Sequence, residues 1–149
     1  MYKRKVYDTI IKRLEERRMF IQVIMGPRQI GKSTVIRQVL DDLDKPSLFY
    51  SADTIPSTSS TWISECWANA RLQMRAQGQE EMILVIDEIQ KLKNWSEYVK
   101  KEWDTDSLNR IKRLECKQNF FKVFIINIVF RKVHSLSPFV IWYHIPLSD

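Results

Sequence analysis

The sequence predicts an α/β fold built on a mostly parallel sheet, and three observations predict it. Short apolar runs alternate with stretches whose apolar residues keep helical spacing. A glycine-bearing segment stands where one apolar run gives way to a helix, and a second apolar run ends at once in Asp87 and Glu88.

Taken in order, residues 2–18 place Val6, Ile10, Ile11 and Leu14 on one helical face with charges on the other, which predicts an amphipathic helix. Residues 20–25 are a short apolar run with two isoleucines and a valine, stopped by Gly26 and Pro27, and read as a buried strand. Helical spacing returns over residues 33–43, and a second strand is expected at residues 47–51 after Pro46. Residues 54–61, rich in Ser, Thr and Pro, read as a loop; residues 62–76 read as a helix stopped near Gly78. Residues 82–86 are five apolar residues in a row, the pattern of a parallel strand covered on both faces. A further helix is expected over residues 95–103.

The chain has 149 residues, 44% hydrophobic and 28% charged, the balance of an ordinary globular protein. Its apolar stretches fall far short of the roughly 18 to 20 residues that cross a bilayer. The basic start (Lys3, Arg4, Lys5) leads into Asp8, Lys12 and Arg13, which break up any signal-peptide core, so a cytoplasmic location without a membrane partner is expected. Cys66, Cys116, His134 and His144 lie at no metal-ligand spacing and read as ordinary thiols and unaccompanied imidazoles. Charge is patterned along the chain: ten Lys or Arg against three Asp or Glu in residues 1–40, seven against thirteen in 41–106, and seven against two in 107–149. The basic ends permit contact with phosphates, of a nucleotide or a nucleic acid, without demanding it.

Residues 26–33 read Gly-Pro-Arg-Gln-Ile-Gly-Lys-Ser and fill every fixed position of G-x-x-x-x-G-K-[ST], the phosphate loop or Walker A motif. The chemistry needs glycine where the backbone turns with positive φ against a ligand, so that inward N–H groups and the following helix N-terminus form an anion cradle. Two of the chain's three glycines stand here. In that reading Lys32 reaches the β- and γ-phosphates and the Ser33 hydroxyl ligates Mg²⁺. Asp87 and Glu88, at the end of a buried strand some fifty residues on, supply the Walker B counterpart. One carboxylate holds magnesium and its neighbour polarises the attacking water.

These segments, together with Trp95, resemble the AAA-type ATPases of bacteria and archaea within the AAA+ superfamily, whose members carry Gly-Pro-Arg-Gln-x-Gly-Lys-[Ser/Thr] and Asp-Glu-Ile-Gln-Lys. This chain has Gly26-Pro27-Arg28-Gln29-Ile30-Gly31-Lys32-Ser33-Thr34 and Asp87-Glu88-Ile89-Gln90-Lys91. The resemblance covers about residues 5–110 and implies a P-loop NTPase of three αβα layers with ATP and Mg²⁺ as cofactors. The segment from Gly26 to Thr34 becomes the ATP-binding loop, although Arg28 and Gln29 match the pattern without an assignable role. Lys32 and Glu88 become the catalytic pair, and Ser33 and Asp87 the magnesium pair. It further implies Tyr7 and Ile10 near the adenine, and a homo-oligomer, since hydrolysis in such proteins commonly takes an arginine from a neighbouring subunit.

The family pattern stops after the helix at Trp95. An expected division is therefore an ATPase core in residues 1–110 and a divergent tail in 111–149, leaving the sheet incomplete on its C-terminal side. Two accounts of the tail stand. Residues 120–130 are a fourth strand with Asn127 near the place of a polar sensor, or the reading frame shifts near Asn109 and unselected sequence follows. The abrupt stop and the short chain favour the second, a C-terminally truncated member. Without a fifth strand the phosphate-loop strand keeps an unpaired edge, and the apolar segment 120–130 is a self-association hazard. Three functions are carried forward: an ATP hydrolase, a nucleotide-binding module without turnover, and an NTPase associated with nucleic acid through the basic ends.

Overall fold

The computed structural model describes residues 5–15, 21–26, 29–59, 61–112 and 120–128. Its architecture follows from the strand that is buried on both sides. The elements run α1 (Lys5–Glu15), β1 (Gln22–Gly26), α2 (Lys32–Asp42), β2 (Ser47–Ser51), α3 (Trp62–Ala76), β3 (Glu81–Asp87), a 3-10 turn (Ile89–Lys91), α4 (Trp95–Lys112) and β4 (Phe120–Ile128). Successive side chains of a strand point to opposite faces. Met82, Leu84 and Ile86 of β3 therefore join a core beneath α3 and α4, with Trp67, Ala70, Val99 and Trp103. Ile83 and Val85 join a second core beneath α1 and α2, with Ile10, Leu14, Val35 and Val39. Helices thus cover both faces of the sheet, giving the three-layer αβα arrangement of a P-loop NTPase-like fold.

The sheet order is β1-β4-β3-β2 and every pairing is parallel. The apolar segment after Phe120 forms β4, in register with β1 from Gln22↔Phe124 to Gly26↔Ile128 and with β3 from Glu81↔Phe120 to Ile86↔Ile125. Asn127 stands opposite Met25, one residue before the end of β1. Among the described residues β1 pairs with β4 alone, so its other edge has no described partner. Because all four strands point the same way, the C-terminal ends of β1, β2 and β3 open on one edge of the sheet, where ligands of open α/β sheets bind.

Local differences from the sequence reading have physical reasons. The last helix continues to Lys112 rather than ending near Trp103. No Gly or Pro interrupts it, and the hydroxyls of Thr105 and Ser107 bond back to the carbonyls of Lys101 (2.8 Å) and Trp103 (2.9 Å) inside the helix. Tyr7 and Ile10 are core residues packed with Val35, Ile36 and Val39 of α2, and the Tyr7 hydroxyl bonds the Asp42 carboxylate. Phe20, Cys116, His134, His144 and the tail from residue 129 lie outside the described residues. Cys66 is buried in α3, and burial, with the nearby Glu65 charge, pushes its thiol up to about 12, the mark of an inert structural thiol.

A polar clamp fastens α3 to α4. Arg71 pairs with Glu102 (2.8 Å) and Asp106 (2.9 Å), and the Asp106 carboxylate also accepts from Trp67 Nε1 at 2.8 Å. Trp67 is fully buried at the centre of this contact, so Trp67→Ala is expected to cost about 3–5 kcal/mol of unfolding free energy, measured by urea titration. A loss below about 1 kcal/mol would contradict its place in a close-packed core.

Candidate functional site

The strand β1 ends at Gly26, and the chain re-enters helix at Lys32 through a turn that ordinary residues resist. Gly31 takes φ 81°, the left-handed region open to glycine, and caps α2. Gln29 also has positive φ, at 59°. The first turn of α2 carries no acidic residue, which keeps its N-terminal N–H groups free of competing carboxylates on that turn. Pro27 and Arg28 lie outside the described residues.

Lys32 turns back over the loop and donates to the Gly26 carbonyl at 3.0 Å. Only 6% of its surface is exposed. Burial pushes its ammonium below the ordinary lysine value, and the charges of Glu88 and Asp87 partly counter that effect. A positive charge is thus held where water no longer solvates it well, facing acids from another strand.

Those acids come from the end of β3. Asp87 accepts from the Ser33 hydroxyl at 2.6 Å through Oδ2 and from the Glu88 backbone N–H at 2.8 Å through Oδ1. It is itself 8% exposed. In a straight strand Asp87 and Glu88 would point to opposite faces. Glu88 instead adopts φ 56°, ψ 25°, a left-handed turn that costs a non-glycine residue on the order of 1–3 kcal/mol, and both carboxylates then line one cavity. The 3-10 turn that follows is closed by bonds from Lys91 N to Glu88 O (3.1 Å) and from Leu92 N to Ile89 O (3.0 Å).

The cavity has a volume of about 620 Å³, within the usual range for small-molecule sites. One wall is Gln29, Gly31, Lys32, Ser33 and Thr34; the other is Asp87 and Glu88, with Ser51 at the end of β2 and Asp53 just beyond it. Gly26 supplies the Lys32 acceptor rather than the lining, and Ile30 is half-buried beside it. Sequence reasoning did not single out Ser51 or Asp53. Asp53 is held by Lys91, whose ammonium pairs with its carboxylate and bonds its carbonyl at 3.2 Å. The sequence assigns Gln90 no role; its amide N–H donates to the Glu88 carboxylate at 2.7 Å. Its place two residues beyond Glu88 was the available signal. Among the described residues no group of three or more His, Cys, Asp or Glu converges as a metal cage.

A family model described as an AAA domain matches residues 18–114, about two thirds of the chain, and spans the loop, β3 and the 3-10 turn. The chain belongs to the AAA domain family. This AAA domain is an ATPase-like nucleotide-binding module, of a family whose members frequently oligomerise. No curated protein matches the chain. None of the described helices is long and apolar enough to cross a membrane.

The depressed Lys32 sets a sign for its effect on stability. The folded state binds the Lys32 proton less tightly than the unfolded chain does, so at neutral pH the charged side chain opposes folding. That opposition is relieved as pH rises through the folded value toward the ordinary lysine value. Lys32→Met is therefore expected to melt no lower than the wild type at pH 7 without nucleotide, and to lose the alkaline rise in stability. A lower melting temperature would show that the ammonium stabilises the free fold.

Proposed function

We propose that this AAA domain is a magnesium-dependent ATPase module, with its core in residues 1–110. The single observation that carries the reading is the meeting of Ser33 and Asp87 at 2.6 Å, with Lys32 and Glu88 on the same cavity. Two short sequences 54 residues apart supply, at one point, a hydroxyl, a carboxylate, an ammonium and a second carboxylate. A structural ion pair needs only two of these.

The residues fit a magnesium nucleotide. Gly31 and the N-terminus of α2 offer backbone N–H groups to phosphate, and Lys32 offers a charge whose poor hydration makes an anionic partner worth more than it would be at the surface. Magnesium takes oxygen ligands, usually one or two from protein side chains and the rest from phosphate and water. Ser33 and Asp87 would hold it, directly or through water. Bound there, the cation would neutralise charge on the phosphate oxygens as the terminal phosphoryl group departs.

Glu88 lines the cavity beside Lys32 and Ser33, and as general base its carboxylate takes the proton of the attacking water. The water oxygen bonds to the γ-phosphorus, the bond from that phosphorus to the β–γ bridging oxygen breaks, and ADP and inorganic phosphate leave. Positioning and charge stabilisation supply most of the acceleration in this chemistry.

Turnover of the full chain should fall by roughly 10²- to 10⁴-fold in Glu88→Gln with ATP affinity retained, whereas Lys32→Ala should lose affinity as well. Equal rates in wild type, Lys32→Ala and Glu88→Gln would sink the hydrolytic reading. Mg-ATP at about 1,000 times its dissociation constant should stabilise the wild-type fold by roughly 4 kcal/mol, a visible rise in melting temperature. An unmoved melt would remove nucleotide binding at this cavity altogether.

A further inference from the structure

The 3-10 turn after β3 carries a residue that the reaction outlined above does not use. Gln90 reaches back two positions and donates its amide N–H to the Glu88 carboxylate at 2.7 Å. Its other end makes no such bond: Gln90 Oε1 is buried and has no hydrogen-bond partner among the described residues. An unpaired buried oxygen costs about 1–3 kcal/mol, so an amide retained purely for stability would be expected to satisfy both ends. Turning the amide over would aim its oxygen at a carboxylate, so charge selects the N–H end for Glu88.

The turn is a rigid base for such a contact. Ile89 between the two residues is fully buried among Leu92, Val99 and Trp103. Lys91 is tied to Asp53, and Lys93 N bonds Ser57 O at 3.1 Å, so the far side of the turn is fastened to the loop after β2. Glu88 meanwhile stands in a left-handed conformation, from which a long side chain has several rotamers to choose among. One charge-assisted hydrogen bond from a fixed neighbour removes that freedom.

We propose that Gln90 is a positioning residue that holds the Glu88 carboxylate on the cavity wall in the orientation that receives the proton of water. This rests on the reading of Glu88 as general base, and it assigns the fourth residue of Asp-Glu-Ile-Gln-Lys its own task.

The test is a double-mutant cycle on the full chain, using Gln90→Met, which keeps the length without the donor, and Gln90→Glu, which places an acceptor there. Both should lower kcat by about 10- to 100-fold with KM nearly unchanged, and Gln90→Met should do so without lowering the melting temperature, as expected when a reacting group is misplaced. In the Glu88→Gln background neither should lower kcat further. A readout without turnover accompanies it. In the nucleotide-free chain, the downfield side-chain N–H resonance of Gln90 should return toward that of a free amide in Glu88→Ala.

If Glu88→Gln turns over like the wild type, or the wild type does not turn over, the base itself is misassigned and the positioning role goes with it. If Glu88→Gln is crippled while Gln90→Met is not, or the Gln90 resonance ignores Glu88→Ala, the base stands and the positioning role alone is overturned. A Gln90 defect that persists unchanged in the Glu88→Gln background also overturns it, because Gln90 would then act through something else.

Discussion

A strand with no solvent-facing side constrains everything around it, and β3 is that strand. Its residues from Met82 to Ile86 are all buried, three toward α3 and α4 and two toward α1 and α2. Any shift of one residue in its register would exchange those faces and place Met82 and Leu84 against the wrong helices. The same register decides where the apolar run ends, and hence that the first polar side chain, Asp87, emerges at the edge where α2 begins. The hydrogen bond from Ser33 to Asp87 is thus a consequence of core packing as much as of local chemistry.

Several local costs to folding gather at the cavity. Lys32 is buried with its charge disfavoured, Glu88 and Gln29 hold left-handed backbone, and Gln90 buries an amide oxygen without a partner among the described residues. Each is a local cost that a chain selected only for stability would shed, and all lie at or beside one cavity. The opposing gain comes from the two apolar cores and from the Arg71 clamp between α3 and α4.

Much of this was legible beforehand because the signals are local. Gly31 declares a left-handed turn into a helix, and the unbroken run before Asp87 declares a strand covered twice. The helix starting at Trp95 was legible but its length was not; beyond Trp103 the hydroxyls of Thr105 and Ser107 bond back within the helix. The burial of Tyr7 and Ile10 was legible but their neighbours on α2 were not, because an amphipathic helix says that a face is buried, not against what. Gln90 and Asp53 were passed over because their significance lies in partners rather than in type: an amide two residues past a carboxylate and an acid paired with Lys91 look like solvated surface in one dimension.

The chain by itself determined its element types, the phosphate-loop turn and the acids that answer it, since glycine conformational freedom and two-sided burial are written residue by residue. Strand order belonged to the tertiary structure. Whether residues 120–128 would enter the sheet, and between which neighbours, depended on pairings across more than thirty residues of sequence, where loop closure and competing registers leave no local mark. The meeting of Ser33 with Asp87, the burial of Lys32 and the grip of Gln90 on Glu88 were decided there too, because hydrogen-bond geometry and desolvation exist only once the two cores have closed around the sheet.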